Sequence, residues 1–110
     1  MNKQELRNRV LQHMRLLPVG EEPSVEDAEL VEEVIDGVFA ELVRKRQAGW
    51  PLTNIPQYVQ LSMIKLVAFE VSGSFGREQN LTEREVALRG IGRFADARQG
   101  CDEYTKADDF

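Results

Sequence analysis

The chain has one cysteine, Cys101, and one histidine, His13, in 110 residues. A single cysteine rules out an intrachain disulfide and fits a reducing compartment. A single histidine, with no cysteine near it, argues against a His-based metal centre. Long apolar runs are also missing. None approaches the roughly 18 residues that a membrane span needs, and charges interrupt each candidate. The opening MNKQELRNRVLQ has neither an apolar h-region nor a small-residue cleavage site, so no secretory signal is expected there. No alternating apolar–polar run and no internal repeat occurs, which leaves no basis for a sheet or a solenoid. Between Glu21 and Val43 there is no basic residue at all.

What is present fits one globular domain, with 42% apolar and 30% charged residues. The net charge of −5 is unevenly placed. Residues 1–20 carry +3, residues 21–43 carry −9, residues 44–99 carry +4 and residues 100–110 carry −3. An acidic total disfavours a general nucleic-acid binder, which gains affinity by neutralising phosphates with clustered Lys and Arg. Segregated charge suits a surface that meets a complementary one.

The pattern predicts an all-α fold: a compact bundle of four helices with a long second helix, a buried third helix and a polar C-terminal tail. The helical domain is expected over 1–98 and the acidic tail over 99–110. The first helix is expected from Lys3 to Leu16, with Asn2 as N-cap, Glu5 at N3 and an apolar stripe of Leu6, Val10, Met14 and Leu17. Pro18, Gly20 and Pro23 follow as a loop. The second helix is expected from Val25 to Ala48, capped by Ser24 and ended by Gly49, with Arg44, Lys45 and Arg46 at its negative end. Val31, Ile35, Val38, Phe39, Leu42 and Val43 form its apolar face, and Glu29, Glu32, Glu33 and Asp36 its wet one.

Trp50 to Ile55 reads as an extended connection with room for one short edge strand. Pro56 suits the first position of a third helix that is apolar nearly all round, and so central, ending at Ser72-Gly73-Ser74-Phe75-Gly76. A fourth helix is expected to open on a capping box of Thr82 and Glu85 with a Leu81–Val86 staple. Val86, Leu88, Ile91, Phe94 and Ala95 face its core side. Gly90 and Gly92 weaken it or let it pack close to a neighbour.

No constellation with catalytic chemistry emerges, and neither enzyme activity nor a cofactor is expected. His13 would need a nucleophile and an acid brought to it across the fold. Cys101 has no basic neighbour before Lys106 to lower its pKa. The carboxylates of the second helix share one wet face, whereas acid–base work needs unlike environments in a dry cleft. Gly73 to Gly76 lacks the preceding strand and following Lys-Ser/Thr of a phosphate loop. Arg84, Arg89, Arg93 and Arg98 give the fourth helix a basic side. The link from Ser72 to Leu81 is nevertheless longer than the three to four residues of a helix-turn-helix turn.

The order of these blocks resembles the head–tail connector (adaptor) proteins of tailed bacteriophages. SVEDAELVEEVIDGVFAEL is similar to their second helix, IPQYVQLSMIKLVAFEVSGSFG to their central helix and LTEREVALRGIGRF to the helix that follows. LQHMRLLPVGEEPSVED is similar to the start of the short-tailed-phage branch. The likeness spans roughly residues 5–95, in layout rather than identity.

The resemblance implies a protein of the virion's head–tail junction, built in the host cytoplasm. It would self-associate into a ring of about a dozen copies beneath the portal protein. The ring would extend the DNA channel, help retain packaged DNA and dock tail or tail-completion proteins, with DNA passing non-specifically and no membrane involved. The portal-docking role would fall on Asp102, Glu103, Tyr104 and Phe110, in a tail shorter than that of the short-tailed-phage members. Subunit-interface candidates are Glu29, Glu32, Glu33 and Asp36 on the acidic side. On the basic side they are Arg44, Lys45, Arg46, Arg89 and Arg93. Other classes compatible with the residues are a small helical DNA-binding regulator and a cytoplasmic helical adaptor or inhibitor of one host protein.

Overall fold

The computed structural model describes residues 1–92. It contains α1 (Lys3–His13), α2 (Val25–Arg44), α3 (Gln57–Ser72) with a 3₁₀ turn at Gly73–Phe75, and α4 over 81–92. The described part is all-helical with no strand, a compact four-helix arrangement as expected. The expectations for Phe94, Ala95, Arg98, Cys101 and the tail lie outside the described residues.

Two helix starts follow from local chemistry. The Glu5 amide donates to Asn2 Oδ1 (2.9 Å) and the Asp27 amide to Ser24 Oγ (3.2 Å), which satisfies N–H groups that the helix itself leaves unpaired. Packing then fixes the order of layers. α1 packs on α2 and α3, and α2 packs on α3. Leu6, Val10, Met14 and Leu17 are all buried, joined by Leu11, Val31, Ile35 and Leu42. On α3, Val59, Met63, Ile64, Leu66, Val67, Ala68 and Val71 are buried, so this helix is the hub. Its first two turns differ from expectation: Tyr58 and Leu61 are exposed.

Both early helices stop sooner than the sequence suggests. α1 ends at His13 rather than Leu16, and α2 at Arg44 rather than Ala48. The cause is a left-handed arginine in each case, Arg15 (φ 60°) and Arg46 (φ 59°). With the backbone so turned, the Leu16 amide reaches the Leu11 carbonyl (2.9 Å) and the Gln47 amide the Leu42 carbonyl (2.8 Å). These bonds close off carbonyls that would otherwise be orphaned. Gly49 is therefore not the terminator of α2, and Val43 at its end is exposed rather than part of the apolar face. After the 3₁₀ turn, Gly76 (φ 69°) plays the same part, with the Arg77 amide donating to the Ser72 carbonyl (3.0 Å).

Pro56 is the N-cap of α3 rather than its first residue, a shift within the ordinary latitude of helix ends. The start of α4 is a larger correction. Asn80, not Thr82, is the cap, with its Oδ1 accepting from the Glu83 amide at 3.1 Å. Asn80 and Glu83 stand at the same spacing as Thr82 and Glu85, asparagine is at least as good a cap, and the earlier start adds residues to the helix. Leu81 and Val86 are 66% and 49% exposed, so no staple forms and Val86 does not face the core. Ala87 and Ile91 are buried instead, with Leu88 half-buried.

The connection between α2 and α3 forms no strand. It is nonetheless anchored: Trp50 and Ile55 are buried. The Ile55 amide donates to the Met1 carbonyl (2.6 Å), and Gln60 Nε2 donates to the Ile55 carbonyl (3.1 Å).

Candidate functional site

The acidic run of α2 divides into two sets. Lys3 Nζ of α1 lies 2.8 Å from Asp36, and Arg7 Nη1 lies 3.5 Å from Glu32. Residues one turn apart on α1 thus meet residues one turn apart on α2, in reverse order, so these two interface candidates are engaged within the chain. Glu29 and Glu33 are exposed and make no ion pair among the described residues.

The basic end of α2 divides likewise. Arg44 Nη2 lies 2.6 Å from Glu41 Oε1 and Lys45 Nζ 3.6 Å from the same oxygen. The Arg44 hydrogen bond holds the Glu41 carboxyl below the usual carboxylate range, with Lys45 adding to the effect, and Glu41 in turn raises the Arg44 guanidinium. Arg46 and Arg89 are exposed, with no ion pair among the described residues. Arg93, Asp102, Glu103, Tyr104 and Phe110 lie outside the described residues. Glu41 lies outside the wet face that the sequence pattern marks on α2, and its spacing of three and four from Arg44 and Lys45 is the ordinary signal for such pairs.

Two surface features flank α4. On one side a groove of about 330 Å³ runs between α2, α3 and α4. Val34, Val38, Leu66 and Leu88 supply its apolar lining, with Gly37 in its α2 wall. Arg84 closes one part of it, lying 5.5 Å over the Phe69 ring and 3.6 Å from Glu70. On the other side Leu61 (60% exposed) and Val86 (49%) border a smaller depression of about 260 Å³ with Lys65 and Arg89.

A third, smaller hollow of about 140 Å³ holds the histidine. His13 Nε2 is 3.0 Å from Glu83 Oε1, a link across 70 residues that ties the end of α1 to the start of α4. An imidazole and an acid therefore do meet across the fold. The hydroxyl lining the same hollow, Ser72, donates to the Ala68 carbonyl of its own helix rather than to His13. Among the described residues no group of three or more His, Cys, Asp or Glu side chains is placed to hold a metal ion, and no helix is long and apolar enough to cross a membrane.

The arrangement offers charged flanks and two depressions beside α4, each with apolar and charged lining, around a helical hub. Comparison of the chain with protein-family models, with curated proteins and with solved structures finds no match in any of the three.

Proposed function

We propose that the chain is a structural assembly protein, acting as a connector between the portal at the head vertex of a tailed bacteriophage and the tail. In this role copies of it form a ring that extends the DNA channel, helps retain packaged DNA and receives tail components. The observation that carries the reading is the separation of uncompensated charge on a rigid helical scaffold. Glu29 and Glu33 stand free of ion pairs on one helix, and Arg46 and Arg89 on the opposite side of the charge balance, among the described residues. Complementary patches of this kind guide partners together and fix their register more than they add raw affinity. The layout resemblance to connector proteins names the assembly, and the acidic, aromatic tail (Asp102, Glu103, Tyr104, Phe110) is the portal-docking element in this reading.

The test is a pull-down with a purified portal protein of a tailed bacteriophage, with full-length chain and with residues 100–110 removed. Capture of the full chain and its loss on truncation is the expected result. A chain that ignores portal rings and instead binds duplex DNA with a steep salt dependence would replace this reading with that of a small DNA-binding regulator. An obligate, very stable dimer in light scattering would also count against the ring.

A further inference from the structure

We infer that the depression between α3 and α4 seats an acidic segment with an aromatic anchor, and that its occupant is Asp102-Glu103-Tyr104 of the same chain. The lining is the first ground. Leu61 and Val86 are large apolar side chains left 60% and 49% exposed, and covering such surface is favourable in water. Among the described residues both charged side chains of the lining, Lys65 and Arg89, are positive, and neither makes an ion pair. Glu85, one turn before Arg89 on α4, is exposed and does not pair with it. The larger groove on the other side of α4 lacks this bias. Its Glu41, Lys45, Glu70 and Arg84 are of both signs and already paired.

The sequence beyond α4 is the second ground. Asp102 and Glu103 are adjacent carboxylates followed directly by Tyr104. A tyrosine ring covers apolar surface while its hydroxyl stays with water, so Tyr104 suits the half-open surface of Leu61 and Val86. The two carboxylates beside it match the two cations, and complementary charge steers the segment to that place.

Reach puts the contact within one chain. Gly92 is three residues past Arg89 and six past Val86 on α4, about 4.5 and 9 Å along the helix. Asp102 follows ten residues later, and ten residues span up to roughly 33 Å. The segment therefore has length to spare for returning to the depression. Surface ion pairs are individually weak, but a short tether presents them at an effective concentration in the millimolar range, which a separate copy in dilute solution does not match. The inference goes beyond the assembly reading. It concerns the residues given there to the portal, but the contact needs neither ring nor portal.

A nitroxide on Cys101, the sole cysteine and the residue before Asp102, tests the contact in the full-length chain. Its paramagnetic broadening should be stronger at the Leu61 and Val86 methyls than at Val34 and Val38, which line the groove on the far side of α4. Lys65→Glu with Arg89→Glu should lower the broadening at Leu61 and Val86 about threefold, the scale of losing weak ion pairs, at unchanged helical circular dichroism. Adding Asp102→Lys and Glu103→Lys to that variant should restore it, and Tyr104→Ala in the parent should lower it. Equal broadening on both sides of α4, or broadening indifferent to charge reversal, would overturn the contact. Broadening that passes from labelled chains to unlabelled, isotope-enriched chains in a mixture would make a second copy the occupant and overturn the contact within one chain. Portal capture without the preferential broadening overturns this contact and keeps the connector role, whereas the broadening without capture does the reverse.

Discussion

Gly90 of α4 lies so close to Ser62 of α3 that a Cβ at position 90 would fall 2.7 Å from Ser62 Oγ. Ser62 Cβ stands at an ordinary 3.8 Å, so either the hydroxyl rotates aside or α3 and α4 move apart. Gly90→Ala gains about 1 kcal/mol of helix propensity but incurs overpacking of about 1–3 kcal/mol. A net loss of about 1 kcal/mol is expected in urea denaturation. In a Ser62→Ala background the clash is gone, and the same substitution should stabilise by up to about 1 kcal/mol. If Gly90→Ala stabilises the parent as well, the hydroxyl rotates aside and the helices do not move.

The sequence leaves that close approach as one of two readings of Gly90 and Gly92, the other being a weakened helix, and only Gly90 takes it. The caps at Asn2 and Ser24 were legible because they are local, and a side-chain oxygen three residues before an amide is enough. The helix ends were not, because sequence rules look for glycine, and here arginines take the left-handed position. The sequence pattern puts the acidic run of α2 on a single wet face. Its division depends on Lys3 and Arg7 aligning with Asp36 and Glu32, which only the packing of α1 on α2 reveals. For α4 the Thr82 and Glu85 spacing points to a start two residues late, because the same spacing from Asn80 to Glu83 is what caps the helix. The exposure of Leu61 has one sequence trace, an apolar circumference on α3 that exceeds what the hub buries.

The left-handed arginines give a direct test. A non-glycine residue in this conformation costs roughly 1–2 kcal/mol, while glycine gives back part of that gain through the greater freedom of its unfolded chain. Arg15→Gly and Arg46→Gly should each stabilise by about 0.5–1 kcal/mol, measured as a higher urea midpoint at unchanged m-value. Arg46→Gly also removes an exposed charge of the proposed basic side, so it should fold better while weakening portal-dependent assembly. Destabilisation by both glycines would show that the arginine side chains hold the turns.

Glu41 fixes a sign for the pH dependence. Its carboxyl titrates below the usual glutamate range because Arg44 hydrogen-bonds to it and Lys45 stands near. A carboxyl depressed in the folded state stabilises above the unfolded glutamate value, and that contribution disappears as pH falls through the folded one. Glu41→Gln should therefore cost a little stability at neutral pH and nothing at strongly acidic pH. Side-chain carboxyl NMR should find Glu41 titrating below the usual glutamate range, and returning toward that range in Arg44→Ala. An unchanged Glu41 in that variant would separate the depression from the arginine.

Trp50 is the sole tryptophan and lies 7% exposed, with its ring centroid 5.5 Å from that of Phe39 at a tilt of 47°. It is held in the connection between α2 and α3, so the pair pins that connection to the side of α2. Truncating a buried aromatic to alanine typically costs about 3–5 kcal/mol, through lost transfer energy and the cavity left behind. Trp50→Ala should fall in this range, and Phe39→Ala below it because Phe39 is only half-buried. Tilted aromatic pairs add about 0.5–1.5 kcal/mol beyond area. The double variant should therefore lose less than the sum of the singles by about that amount. Full additivity in a denaturation cycle followed by circular dichroism would mean that the rings are neighbours without being coupled. The connection would then be held by Ile55 and its backbone bonds instead.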